Sequence, residues 1–167
     1  LRDGTAVAVS DGSFKDKFGT AAWVIEGRRS DGWLEGQCII PGGPEDQSAY
    51  RSKLGGLYAI AAMVQVICEL HNIQEGSIEV ACDGMNALAQ VGEKDPIIRP
   101  NGAQYDIIAA TQAKIKRTNI QWKMRHVMGH QDDTQGCTVM DRWETLNCMM
   151  DERAKQHWQH HSTRTTR

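Results

Sequence analysis

Apolar side chains recur at three- and four-residue spacing from Gln47 or Ser48 onward (Leu54, Leu57, Ala61, Val64 and Ile67 or Cys68), and Gly55-Gly56 interrupts the stripe. This spacing predicts an amphipathic helix about 20 residues long. Each glycine inside it costs roughly 1 kcal/mol relative to alanine. Such a pair is best explained by close packing of the helix against a sheet. The chain must therefore supply that sheet from the segments on either side.

It does so in a recognisable order. Thr5 to Ser10 alternates small and β-branched residues and meets a turn signal at Asp11-Gly12-Ser13. Thr20 to Glu26 and Gly32 to Ile40 read as second and third strands with short polar connections, an antiparallel meander. Pro41-Gly42-Gly43-Pro44 breaks the chain before the long helix. Ser77 to Cys82 is a short buried strand, and a brief helix runs from Asp83-Gly84 to about Val91. After the proline-bearing connection from Gly92 to Gly102, Ala103 to Lys116 reads as helix with Ile107, Ile108 and Ile115 facing inward. Asn119 to Val127 is a strand, and Thr145 to about His157 is a closing helix. Three leading strands followed by alternating elements imply an α/β fold, a five-stranded mixed sheet flanked by helices. Residues 1–158 are expected to form one domain, with residues 159–167 as a loose polar tail.

Bulk properties narrow the function. With 167 residues, 40% hydrophobic and 24% charged, the chain suits one globular domain. No run approaches the roughly 20 apolar residues needed to span a membrane, and no basic-then-apolar leader opens the sequence. The chain starts on leucine, which suits a domain excised from a longer polypeptide. Cys38, Cys68, Cys82, Cys137 and Cys148 are scattered, with no CxxC pair, so reduced thiols in an intracellular setting are expected rather than disulfides or structural zinc. Nothing distinguishes cytoplasm from nucleus. The net charge of −2 leaves only local basic faces for a nucleic acid. The best is Lys114, Lys116, Arg117, Lys123 and Arg125, for which a solvated face is the simpler reading.

Three acids attract attention. Asp11 (in VAVSDGSF) follows the first strand, Asp83 (in IEVACDGMNAL) follows the fourth, and Asp151 (in LNCMMDERAK) lies on the last helix. If strands one and four are parallel neighbours, their carboxyl ends lie together, where such sheets place their sites. Carboxylates so placed can converge on divalent cations. Each aspartate alone is as well explained as a turn residue, helix cap or solvated side chain. His157, His160 and His161 have metal-ligand spacing on a helix, but they border the polar tail, where solvation is the simpler reading. The five tryptophans (Trp23, Trp33, Trp122, Trp143, Trp158) read as packing residues rather than stacking platforms.

Five pieces in order, DGSF, YRSKLGGLYAI, CDGMNAL, VMGHQDD and LNCMMDERAK, span about Val7 to Lys155. Together they make the chain resemble the ribonuclease H family, particularly the domains attached to retroelement reverse transcriptases. The resemblance implies a ribonuclease H-like fold and hydrolysis of the RNA strand of RNA–DNA hybrids with Mg2+ or Mn2+. It implies Asp11, Asp83 and Asp151 as metal ligands, one metal positioning a water and a second stabilising the departing 3′ oxygen. It also implies that His130 assists departure of the product or moves protons. Gly12 and Ser13 would offer backbone groups to the minor groove, and Asn86 would contact a 2′-hydroxyl. A covalently linked reverse transcriptase domain would be the natural neighbour.

The departure from the family is Lys53, where the pattern has glutamate. At about 4 Å and an effective dielectric of about 20, each unit of charge is worth about 4 kcal/mol against a single positive charge. A change from −1 to +1 therefore opposes cation binding severely unless the lysine swings away. Glu45, Asp46, Asp132, Asp133 and Asp141 are the acids that could compensate. The lysine could disable a nuclease, record decay of a retroelement domain, or replace one cation with an ammonium. The matching region for a basic, hybrid-gripping protrusion, Gly92 to Gly102, carries only Lys94 and Arg99 against Glu93 and Asp95. The alternative function is a catalytically inactive module that holds hybrid or supports a polymerase.

Overall fold

The Gly55-Gly56 pair does face a sheet. A Cβ on Gly56 would lie 2.8 Å from Ser10 Cβ and 3.6 Å from Ala21 Cβ, and one on Gly55 would run into Ile40 Cδ1. The computed structural model describes residues 1–27, 32–92, 102–129 and 140–162. Its elements run β1 (Ala6–Lys15), β2 (Phe18–Glu26), β3 (Trp33–Ile39), α1 (Ala49–Leu70), β4 (Ser77–Cys82), α2 (Met85–Gly92), α3 (Tyr105–Lys116), β5 (Gln121–His126) and α4 (Arg142–Ser162). The strands form a five-stranded mixed sheet in the order β3-β2-β1-β4-β5. β1 pairs antiparallel with β2, and β2 with β3, while β1 and β4, and β4 and β5, are parallel.

Alternation along the strands builds two cores. Ala6, Ala8, Trp23, Ile25, Ile78 and Val80 pack with Leu54, Leu57, Ile60 and Val64 of α1 and with Ile107 and Ile108 of α3. Val9, Ala22, Val24 and Ala81 point the other way and pack under Leu146, Met150 and Ala154 of α4. This period of two is what a strand buried on both faces shows.

Several boundaries differ from expectation, each for a local reason. β1 does not stop at Asp11; Asp11 and Gly12 stay in the ladder opposite Ala22 and Ala21. The reversal falls at Asp16-Lys17, both with positive φ (52° and 59°), the conformation of a tight two-residue hairpin loop. Gly12 serves close approach instead, since a Cβ there would lie 2.5 Å from the Ser52 carbonyl carbon. α4 begins before Thr145 because Asp141 and Glu144 cap it reciprocally. Asp141 Oδ1 accepts from Glu144 N and Glu144 Oε2 accepts from Asp141 N, both at 2.9 Å. It also runs past His157, so residues 159–162 are helix rather than loose tail. Trp158 anchors that end by donating from Nε1 to the carbonyls of Lys15 (3.1 Å) and Phe18 (3.0 Å).

α1 corrects a further expectation. It is the one helix among the described residues long and apolar enough to span a bilayer. Its charges sit near its two ends, leaving residues 54–68 uncharged, and half of its most apolar window is buried inside the protein. Ser48 caps it, its Oγ accepting from Arg51 N at 3.0 Å. Arg51, itself buried, grips Asp106 through two hydrogen bonds (2.8 and 2.6 Å), Gln104 Oε1 (2.6 Å) and the Pro41 carbonyl (2.8 Å). A bidentate guanidinium–carboxylate pair fixes direction as well as distance. It ties the first turn of α1 to α3, two residues before Lys53. Cys38, Cys68 and Cys82 are free thiols, and Cys137 lies outside the described residues.

The two glycines of α1 should respond differently to alanine. Gly56→Ala meets backbone-fixed atoms of β1 and is expected to destabilise by about 1–3 kcal/mol despite alanine's better helix propensity. Gly55→Ala meets only the end of the Ile40 side chain and should cost distinctly less. Urea unfolding of both variants checks the ranking.

Candidate active site

The parallel pairing of β1 and β4 brings Asp11 and the start of the β4–α2 connection to one end of the sheet, and the first turns of α1 cross that end. Lys53 projects from α1 between the two aspartates. Its Nζ lies 3.3 Å from Asp11 Oδ1 and bonds to Asp83 Oδ1. The three side chains are well sheltered: Asp11 is 5% exposed, Asp83 10% and Lys53 23%. Lysine was long enough to swing aside, but here it does not.

The neighbours fix these groups in place. Gly12 N donates to Asp11 Oδ1 at 2.7 Å. His126 Nε2 sits 3.1 Å from the Asp83 carbonyl oxygen. A Cβ on Gly129 would lie 2.6 Å from Asp83 Oδ2, so a larger residue there would displace the carboxylate. Cys82 is fully buried, and its Sγ accepts from Gly84 N at 3.3 Å. Burial pushes its thiol up to about 12, so it is inert at neutral pH. His126, Gly129 and Cys82 give no sequence signal, because only the fold brings them to Asp83.

Asp151 stands nearby on α4, close enough for its charge to act on Asp11, but its Oδ2 is paired with Lys155 Nζ at 2.5 Å. That four-residue spacing is legible in the sequence as a helical ion pair. His130 lies outside the described residues, as do Asp132, Asp133, Lys94 and Arg99. Of the remaining compensating acids, Asp141 caps α4 and Asp46 Oδ2 accepts from Gly43 N at 3.0 Å. Gly12 and Ser13 are half-buried beside Asp11, and Asn86 is exposed on the first turn of α2. Arg125 lies over the Trp143 ring at 4.7 Å and bonds Glu79 at 2.6 Å, so this part of the basic cluster is locally neutralised.

The arrangement can be tested against divalent cations. A cation held by Asp11 and Asp83 needs the oxygen lone pairs that face each other across the site. Here the ammonium of Lys53 takes an oxygen of each. Among the described residues, no group of three or more His, Cys, Asp or Glu side chains is arranged to hold a metal. The residues present do not fit Mg2+ or Mn2+ while Lys53 is in place.

No family model matches the chain, and no curated protein sequence is similar to it. Its backbone, however, is similar to several solved structures. The N-terminal ribonuclease H domain of a Mycobacterium tuberculosis protein is 14% identical, with a TM-score of 0.52, covering 93% of this chain and 99% of that one. Ribonuclease H1 from Halobacterium salinarum is 15% identical, with a TM-score of 0.53 and coverage of 92% and 99%. LC11 ribonuclease H1, solved with an RNA/DNA hybrid, is 12% identical, with a TM-score of 0.60 and coverage of 90% and 99%. At such identities the likeness concerns the fold, which is ribonuclease H-like.

Electrostatics express the crowding of charge. Burial, with the neighbouring Asp83 adding to it, raises the Asp11 carboxyl to about 6, although Lys53 and the Gly12 amide pull the other way. Burial opposes the charge on Lys53, but Asp11 and Asp83 together outweigh it and lift its pKa above the ordinary lysine value. Because the folded Asp11 value exceeds the unfolded one, its stabilising contribution is full below about pH 4 and lost as pH rises through about 6. The decline should be on the order of 2 kcal/mol between pH 4 and 7. Asp11→Asn, which cannot titrate, should lack this decline, and unfolding curves of the two proteins across that range measure the difference.

Proposed function

We propose that this chain is a ribonuclease H-type module for RNA–DNA hybrids whose hydrolytic centre is held shut by Lys53. It engages hybrid without cutting it. The observation that carries this reading is the ammonium of Lys53 lodged between Asp11 and Asp83. Asp11, within β1, and Asp83, just after β4, both lie past the last parallel β1–β4 pair, Val9 with Ala81, toward the end of the sheet where sites of such folds usually sit. Asp151 stands beside them with its own lysine partner. Phosphodiester hydrolysis would call on these acids to hold cations, and Lys53 occupies an oxygen of Asp11 and of Asp83 that such cations would need.

The surrounding surface suits a hybrid. Gly12 and Ser13 would meet the minor groove through their backbone, and exposed Asn86 would read a 2′-hydroxyl, the group that separates RNA from DNA. His130 would assist product departure in an active form of the site. The near-neutral charge of the chain and the neutralised Arg125 make for a weak intrinsic grip. A linked reverse transcriptase domain would supply the rest, and the module would support that polymerase.

Cleavage of a labelled RNA–DNA hybrid in Mg2+ and in Mn2+ tests the reading, with the chain as given beside Lys53→Glu. The variant is expected to cut the RNA strand and the parent chain to be at least about 100-fold slower, since a charge reversal of several kcal/mol at the centre is at stake. Comparable cleavage by both would show that Lys53 does not shut the site. Silence of both, with hybrid still bound, would leave a binding module with no hydrolytic ancestry in these residues.

A further inference from the structure

The last two turns of α4 carry a histidine cluster that the acidic centre does not use. His157 and His161 lie one turn apart, with ring centroids 4.4 Å apart and planes inclined by 61°. His160 meets His161 at 5.0 Å and 90°. His157 and His161 are half-buried, whereas His160 is exposed. The backbone beneath them is held, because the neighbouring Trp158 is bonded to the carbonyls of Lys15 and Phe18.

We propose that His157 and His161 form a bidentate site for a borderline divalent transition ion (Ni2+, Cu2+ or Zn2+), completed by water. Imidazole nitrogens bind such ions at about 2.0–2.1 Å. Two rings on one ion then have centroids about 4.5 Å apart in a right-angled site and about 5 Å apart in a tetrahedral one. The observed centroid spacing of 4.4 Å is close to the first, and the rings, now in edge-on contact, would turn about their side-chain bonds to aim one nitrogen each at the ion. His160 is exposed and adjoins His161 in sequence, so its side chain leaves the helix about 100° around from that of His161, and the three rings do not form one metal-holding group among the described residues. Nitrogen ligands select against Mg2+ and favour the later transition ions. The site is therefore separate in chemistry from the oxygen-lined acidic centre, and His157 lies six residues, about 9 Å of helix, beyond Asp151. An ion there would clip the end of α4, the helix that carries Asp151.

Calorimetric titration of the whole chain with Zn2+ and with Ni2+ tests the assignment, alongside His157→Ala, His161→Ala and His160→Ala. One ion per chain is expected. Loss of a mere outer-shell partner costs metal sites about 10-fold in affinity, so removing either ligand should weaken binding by at least about 10-fold. His160→Ala should change it by less than about 3-fold. In the unaltered chain, ring-proton NMR signals of His157 and His161 should move on adding Zn2+ and not on adding Mg2+, a readout that no folding defect can imitate. No saturable binding of either ion, binding that survives loss of His157 or His161, or an equal dependence on His160 would each overturn the two-histidine site.

Discussion

The charge balance between Lys53 and the aspartates it bridges governs the rest of this molecule. Asp11 and Asp83 are 5% and 10% exposed, and burial together with the neighbouring Asp83 disfavours the charged form of Asp11, so a positive partner between them stabilises the arrangement. A metal ion and an ammonium are alternative answers to the same problem, and they compete for the same oxygens. Here the ammonium is tethered to α1, so its local concentration is fixed by the fold and it need not be recruited. The raised Asp11 carboxyl indicates that one ammonium compensates the pair only in part.

The fold delivers Lys53 to that place through contacts that contain no site chemistry. Gly12 and Gly56 let α1 approach β1 until backbone nearly touches backbone. Arg51, two residues before Lys53, locks the first turn of α1 to α3 and to the Pro41 carbonyl. With the helix pinned on both sides, the lysine has little freedom to leave. Rotation of the side chain alone would abandon two ion pairs in a sheltered site, where they are screened much less than at the surface.

Much of this was legible in the residues because the signals are local. Hydrophobic periodicity and turn signals located the nine elements of the described residues, and the expected parallel pairing of strands one and four is present. Lys53, which the resemblance set at the position of the family's glutamate, lies in contact with Asp11 and Asp83. What was misread depended on partners distant in sequence. Asp11-Gly12 looked like a turn because the α1 backbone that demands glycine lies 40 residues away. The apolarity of α1 is hard to see in the residues because charged residues near its ends mask an uncharged middle. The Arg51–Asp106 clamp and the contacts of Asp83 with His126 and Gly129 had no sequence signature at all.

Whether Lys53 excludes cations from the acids is read directly from local Mn2+ binding there, as paramagnetic broadening of the Gly12 and Gly84 backbone amide signals. These amides adjoin Asp11 and Asp83, so the measurement reports on this site whatever happens elsewhere on the chain. With Lys53 in place, no selective broadening is expected at Mn2+ concentrations that erase both signals in Lys53→Glu. Equal broadening in the two proteins would mean that Lys53 does not hold the cation position and does not shut the site.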